Sequence, residues 1–511
     1  MRTQSNGKCM NKFSNKGFAM MYHASHNSIT NRAVLLLLLF LTLQSQCILA
    51  QMELSFEKSL EIAKENSPNI KRTRLYLERS RELLKAQQAA LKSHFSLTLN
   101  PLDYNRDQTF NRFLSAWSKN ESKESFTRFT VSQPIEWTDA TLNVINNWSW
   151  QDSYSDYQDI RNKSYTNNLY LQFSQPIFTY NRTRLETRSL ELDLERNQLD
   201  LAIQELALEL QIAQTFFNVY RSRMNLDIAL EEQQNQEESY QIISNKVEAG
   251  LSPLEDLYQA ELNLASSRST VLQRENSLED ALDEFKRLIG APISEDVTVQ
   301  ADVAYQSVEI SLEKALENGL EKRLELRQNQ IDIENARFNL VQTSARNEFK
   351  GSINFTYGIK GNNEELANLL DKPTKTQNFS LSFDIPLWDW GEKQSRIKAD
   401  KATIASRQVS LEDESTSITV GIRRAYRSLK NYVVQIEIAE KSVRNAELTY
   451  EINLERYKNG DLSSMDLNLY QEQLSHQKMG LVGALIDYKL ALLDLKTQSL
   501  WDFEKDRPVI P

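Results

Sequence analysis

"NKVEAGLSPLEDLYQAEL", residues 245–262, carries a polar helical pattern through Gly250 and Pro253 into a second helix. One other stretch does the same: "ERYKNGDLSSMDLNLYQEQL", residues 455–474, turns at Gly460. The two glycines lie 210 residues apart, and a long helical pattern leads away on each side. Residues 181–249 contain no Gly and no Pro. Within them Leu199, Ile203, Leu206, Leu210, Ala213, Phe217, Tyr220 and Met224 step by four and three, the spacing of a coiled-coil seam. At 1.5 Å per residue the stretch predicts a helix about 100 Å long. Residues 391–460 form its counterpart, interrupted only by Gly421.

The same order of elements is written twice. Shorter helical stretches follow each tip, Leu254 to Ile289 and Ser463 to Leu500, and moderate helices precede each long one, about Glu53–Ser93 and about Glu309–Lys350. Between them run alternating stretches: 94–100 and 168–178 in the first half, 352–359 and 378–388 in the second, with Pro176 and Pro386 again 210 residues apart. Period-two alternation gives one apolar and one polar face, as in a membrane barrel with a wet lumen. Phe178, Tyr180, Trp388 and Trp390 crowd the strand ends, where rings mark a membrane–water boundary. A barrel share with open edges is not tolerated in lipid, so several chains must pool their strands.

One irregularity breaks the duplication. Ser59-Leu60 matches Ala315-Leu316 at a spacing of 256, so the first half holds about 46 extra residues. They include 128–137 and 140–150, which read as a hairpin expected to project beyond the barrel. The domain reading is a leader over 1–50, a first repeat over 51–300 with the extra hairpin near 127–150, a second repeat over 301–503, and a tail over 504–511.

The leader reads as a signal peptide: "AVLLLLLFLTL" (33–43) follows Arg32 and ends near Ala50, with Met20 or Met21 as candidate starts. Lipidation at Cys47 is the lesser reading, since Gln46 is bulky where a small residue is expected. Cleavage would remove five basic residues and both cysteines, taking the formal charge from −10 to −15. An acidic, cysteine-free chain excludes disulfides, thiolate metal sites and Cys nucleophiles, and argues against nucleic acid as a partner. Beyond the leader only His94 and His476 remain, far apart, and there is no P-loop, G-x-S-x-G or G-x-G-x-x-G. No catalytic residues, metal ligands or cofactors are expected, and the chain reads as a conduit, not an enzyme.

Helix, strand, strand, very long helix, tip and return helix, duplicated, resembles the TolC-like outer membrane efflux proteins. "SLEIAKENSPNIKRTRLYLERSRELLKAQQAALKSHFSLTLN" (59–100) is similar to the family's opening helix and first strand, "QPIF" (175–178) to a strand end, and "VEAGLSPLEDLYQAELNLASS" (247–267) to its helical tip. The resemblance covers about 53–503. It implies a mainly α fold with a membrane β-barrel share, a trimeric α/β barrel in which each of three chains gives four strands, and a long antiparallel coiled-coil tunnel. It implies the outer membrane duct of a tripartite efflux or type I secretion system in a Gram-negative bacterium, reaching into the periplasm. Its partners would be outer membrane lipid, a periplasmic adaptor protein at the tips, and an inner-membrane pump. The tip residues on that alignment are Gly250, Leu251 and Ser252, and Gly460, Asp461 and Leu462. The periplasmic gate would involve Asp256, Tyr457 and Asp466, with a Tyr457–Asp256 hydrogen bond as the latch and Asp466 forming an acidic ring able to hold a blocking metal ion. Leu462 and Leu469 depart from the family's polar gate pattern, and Asp256 and Asp466 read equally as solvated helix residues. The alternative functions are a periplasmic adaptor, which would carry one hairpin and a split β domain, and a soluble coiled-coil scaffold, which would leave the alternating strands unexplained.

Overall fold

The structure is a computed structural model, and it describes residues 52–509 apart from 113, 114 and 158. The leader, its candidate start sites and Cys47 lie outside the described residues. Two units separate by their internal contacts. In the small unit, Met1–Glu53 with Ser294–Thr298, the described residues include most of two short paired strands, β1 (Met52–Leu54) and β6 (Val297–Val299). All other elements belong to the large unit.

The first repeat opens with α1 (Phe56–Asn66) and α2 (Pro68–Ala90), and the second with α5 (Leu312–Lys322) and α6 (Leu324–Ser344). What reads as one moderate helix in each half is therefore two. The breaks fall at Ser67 and Arg323, equivalent positions under the 256-residue spacing. Pro68 supplies the physical reason in the first half: it cannot donate to the preceding turn and favours the first position of a new helix.

The long helices keep their predicted limits. α3 spans Arg182–Glu248, 67 residues, capped by the Asn181 side chain accepting from the Arg184 N–H at 2.8 Å. α7 spans Glu392–Asn459, with the Asp389 carboxylate accepting from the Gly391 and Lys393 N–H groups at 2.9 and 3.1 Å. α4 (Leu254–Ile289) and α8 (Ser464–Ser499) return from the two tips. The fully buried stripe of α3 runs beside the predicted seam and shares only Ala213 with it. Leu208, Ile212, Ala213, Phe216, Val219 and Leu226 are covered, while Ile203, Leu206, Phe217 and Tyr220 are half-buried.

The strands form one antiparallel six-stranded sheet in the order β2 (His94–Asn111), β3 (Ala116–Ile135), β4 (Ala140–Ser155), β5 (Ile160–Ile177), β7 (Lys350–Asn363), β8 (Thr374–Asp384). This corrects two expectations. The chain gives six strands, not four, and the extra hairpin does not project: β3 and β4 sit inside the sheet, laddered to β2 on one side and β5 on the other. The alternation in 128–150 matches the face-to-face pattern of its neighbours, and a strand pair with the right register gains more by filling the ladder than by leaving it. One face carries Leu97, Phe129, Val144, Leu171 and Tyr357; the other carries Thr98, Arg128, Asn147, Asn168 and Lys360 in one row.

After α8 the chain folds back as β9 (Trp501–Asp502) paired with β10 (Arg507–Pro508). Lys314 of α5 holds this turn, with Nζ 2.7 Å from Asp506 and 3.9 Å from the Trp501 ring centre. The residues read as a tail are thus tied to the helices as far as the structure describes them.

Glycines with positive φ separate into open and crowded positions. A Cβ at Gly250 (φ +71°) would meet nothing within 4 Å, whereas at Gly290 (φ +74°), which ends α4, it would lie 2.8 Å from the Asn66 carbonyl oxygen. Both substitutions to Ala incur the left-handed penalty of about 1–2 kcal/mol, and only Gly290→Ala adds overpacking of about 1–3 kcal/mol. Thermal unfolding of the two variants is expected to rank Gly290→Ala clearly below Gly250→Ala.

Candidate functional site: the helical tips and the seam between them

Each tip is a helix that stops, reverses and restarts. At the first, Gly250 turns the chain, the Leu251 N–H bonds the Lys246 carbonyl at 2.8 Å, and Pro253 caps α4. At the second, Gly460 (φ +89°) turns the chain and the Asp461 N–H bonds the Arg456 carbonyl at 2.9 Å. These are the closing bonds that a left-handed residue permits at a helix end. The aligned positions present different chemistry: Leu251 is 78% exposed, and its counterpart Asp461 is an exposed acid. Ser252 is half-buried, and Leu462 packs against the core beneath the tips.

That core joins all four long helices. Ile243 of α3, Ala260 of α4, Tyr450 and Tyr457 of α7, and Leu467 and Leu474 of α8 form one buried cluster. Tyr457, only 1% exposed, is the more deeply buried of its two tyrosines. Its hydroxyl donates to the Ser239 carbonyl at 3.4 Å. The expected Tyr457–Asp256 hydrogen bond is therefore not made: Tyr457 points into the helix core, and the Asp256 carboxylate acts on it only through its charge. Burial first, with that charge as a lesser contribution, pushes the Tyr457 hydroxyl up to about 12, and burial does the same at Tyr450. Asp256 is half-buried in the first turn of α4, where a carboxylate complements the helix dipole. Asp466 is exposed and engaged locally, its carboxylate accepting from the Ser463 hydroxyl at 2.7 Å while Ser463 Oγ accepts the Asp466 N–H at 3.1 Å.

Beyond that apolar core, which itself joins the two hairpins, polar contacts between them run along α3 and α8. Glu209 meets Lys496 at 2.9 Å, Arg221 meets Asp487 at 2.6 Å, and Glu231 meets Lys478 at 2.8 Å. Nearer the tips the Gln471 amide donates to the Glu232 carbonyl at 2.9 Å, and Gln236 donates to Asn468. The pairs keep one antiparallel register along the two helices. Last, beside the tips, Lys246 of α3 reaches across to α7, with Nζ donating to the Tyr457 carbonyl at 2.7 Å and 5.0 Å from its ring centre. Apart from Tyr457, sequence reasoning assigned none of these residues a role. Long polar side chains on a helix are ordinarily solvent-facing, and only the register between two helices 200 residues apart identifies partners.

Each such contact is partly exposed and contributes about 0.5–1 kcal/mol. One group on this seam carries a cost in its charged form. Burial against α8 raises the Glu232 carboxyl above its ordinary value, the Ser475 hydroxyl bond offsetting part of that rise. The protonated form is the one the fold favours, so this contribution to stability is complete below the ordinary carboxylate range and is lost as pH rises through the raised value. Thermal unfolding across pH is expected to show wild-type stability falling on that upward leg relative to Glu232→Gln, whose melting should be flatter over the same range and higher at neutral pH.

Comparison with known proteins matches the whole repeat structure. The family model for outer membrane efflux proteins matches residues 60–291 and 315–498. The cation efflux system protein CusC of Escherichia coli K12 is 25% identical over 260 residues, which cover 50% of this chain and 56% of that protein. The outer membrane protein TolC of Vibrio cholerae serotype O1 is 22% identical over 302 residues, 58% of this chain and 68% of that protein. This chain spans about half the length of the curated CusC relative it matches. Among solved structures the Campylobacter jejuni CmeC outer membrane channel superposes with a TM-score of 0.67 at 16% identity, covering 89% of this chain and 87% of that one.

Proposed function

The chain belongs to the outer membrane efflux protein family, and on that premise we propose that it is the passive outer membrane duct of a multi-protein export assembly. Three copies set their sheets in the outer membrane and their α3, α4, α7 and α8 helices into the periplasm as a tunnel. The observation that carries the reading is the pairing of two like hairpins, each ending in a free glycine turn, by a row of individually weak polar contacts. An apolar cluster around Tyr457 joins the hairpins beside the tips, and further along α3 and α8 they meet in separable polar pairs that can part. Residues 51–300 and 301–503 act as two copies of one working unit, so a trimer presents six tips. The chain performs no chemistry of its own, and energy enters from a pump in the inner membrane.

In this reading Gly250, Leu251 and Ser252, with Gly460, Asp461 and Leu462, form the surface on which a periplasmic adaptor docks. Leu251 offers the apolar contact and Asp461 the charged one. The gate is the seam. Asp256 and Asp466 keep their places near the constriction as acidic residues facing the tunnel's end, while Tyr457 serves as the core pin through which Lys246 joins the hairpins. Tyr457→Phe keeps the carbonyl that Lys246 grips and loses only the long hydroxyl bond to Ser239, so it is expected to raise conductance less than removal of the Lys246 contact does.

Membrane fractionation, cross-linking and planar-bilayer conductance test the proposal together. The wild-type chain is expected in the outer membrane as a trimer with low conductance, and a Lys246→Ala/Gln236→Ala double variant is expected to conduct several-fold more. Leu251→Asp is expected to leave conductance unchanged and to lose capture of a periplasmic adaptor protein. A double variant with wild-type conductance would sink the seam as the gate; a chain that stays soluble would sink the duct itself.

A further inference from the structure

We infer that the assembled pore is an 18-stranded barrel, six strands from each of three chains, with a wide water-filled mouth. The inference rests on the duct reading and adds the size of its outer opening. It starts from the inserted hairpin, whose two strands are built as barrel strands on every count the structure offers.

Both faces of the hairpin are finished. On the apolar face, the row Phe95–Val131–Val144–Leu171–Tyr357 and the row Leu97–Phe129–Asn146–Leu169–Ile359 cross β2, β3, β4, β5 and β7 without a step. Trp148 and Trp150 extend it along β4, and Phe379, Leu381 and Phe383 complete it on β8. Polar interruptions in it include Ser125, Thr127, Asn146, Asn167, Gln377 and, at the β8 edge, Lys375. Phe129, Val144 and Trp148 are exposed in the single chain, as Leu97 and Phe379 are. Residues that a projecting hairpin would leave polar are here apolar at the level of the belt, which is what lipid contact requires. On the opposite face, Ser96–Thr130–Ile145–Tyr170–Gly358–Thr376 and Thr98–Arg128–Asn147–Asn168–Lys360–Thr374 continue the lumen lining across all six strands.

The hairpin also ends as its neighbours end. "SQPI" occurs at 132–135 and at 174–177, closing β3 and β5 at the helix side. In each copy the glutamine amide hooks the adjacent chain: Gln133 Nε2 donates to the Leu91 carbonyl at 3.0 Å, and Gln175 Nε2 to the Thr138 carbonyl at 2.7 Å. The β3–β4 turn is then tied to the start of α3, where the Asn181 amide donates to the Glu136 carbonyl at 2.6 Å and the Thr183 hydroxyl to Asp139.

The free edges are β2 and β8. β2 leaves the helices and β8 returns to them, so β8 of one copy meets β2 of the next antiparallel, as every other pair in the sheet does. An even number of strands per chain makes that closure regular. With strands about 4.8 Å apart and tilted about 40°, 18 strands give a backbone diameter of about 36 Å, against about 24 Å for 12. Below the barrel each chain contributes α2, α3, α6 and α7 at the junction. Twelve helices packed about 8–10 Å apart form a ring about 31–39 Å across, so the wider barrel meets the tunnel without a step. Barrels of 16–18 strands leave an aqueous channel. Lined mostly by hydroxyls and amides, this mouth would sort cargo by size rather than charge, and bulky polar solutes would pass it.

End-on electron microscopy of the full chain in lipid nanodiscs, paired with a hairpin deletion, tests the inference. Removing residues 112–155 joins β2 to β5, which already run antiparallel. Wild type is expected at about 36 Å with 18 strands, and the deletion variant at about two-thirds of that diameter. A wild-type trimer with a barrel of about 24 Å, or a dimer closing 12 strands, would overturn the inference and leave the duct standing; a chain that never inserts would overturn both. Labelling of single cysteines in the full-length protein reads the hairpin even if the deletion fails to fold. Val144→Cys should react at least about tenfold faster with a lipid-confined reagent than with a water-soluble one, and Asn147→Cys the reverse. Equal reaction of both with the water-soluble reagent would place the hairpin outside the barrel and overturn the inference.

Discussion

A β-strand edge in hydrocarbon has no water to satisfy its backbone groups, and that constraint governs this chain more than any single contact. The sheet of β2 to β8 has two such edges and an apolar belt on one face, so it is unfinished as a single chain. Its completion demands other copies, and those copies bring their helices with them. The tunnel is in this sense a consequence of the barrel: strands that must close into a ring set the helices attached to them in a ring as well. The inserted β3–β4 pair widens that ring without disturbing it, because a hairpin adds two strands and preserves the direction of everything after it.

The helices answer a different demand. Helices of about 100 Å cannot gain a globular core, and their stability comes from narrow stripes of burial repeated along the length. Near the tips the apolar cluster around Tyr457 holds four helices in one place. Above it, α3 and α8 meet largely through ion pairs and amides. Apolar contact joins the two hairpins beside the tips, and polar contact sets one against the other further along. The half-buried Glu232 sits on that boundary, where desolvation opposes its charge.

Much of the fold was legible because it is made of long, uninterrupted patterns. The absence of Gly and Pro over 181–249 gave α3 to within a residue, and Gly250 and Gly460 marked both reversals. What escaped was pairing. The hairpin over 128–150 was visible as strands, yet alternation alone does not say which strand lies next to which, and its place in the sheet followed only from the ladders with β2 and β5. The breaks at Ser67 and Arg323 were hidden by helical periodicity that runs through them. At the candidate gate, alignment of the tips placed Tyr457 near Asp256 but not its direction, and a turn of one helix about its axis separates a polar latch from a core residue. Lys246 carried no sequence signal, since a lysine in the last turn of a helix is what the dipole alone would favour.

The two tips also bear on how duplicated units diverge. A ring made from two identical hairpins in each of three copies would look the same after every sixth of a turn. Leu251 and Asp461 remove that equivalence, alternating a greasy knob with an anion at corresponding heights. The rim is then a two-letter word spoken three times, and a body gripping all six positions has to be ambidextrous or arrive in alternating pairs. Duplication supplied the number of handles; changed residues at the tips make them count in threes.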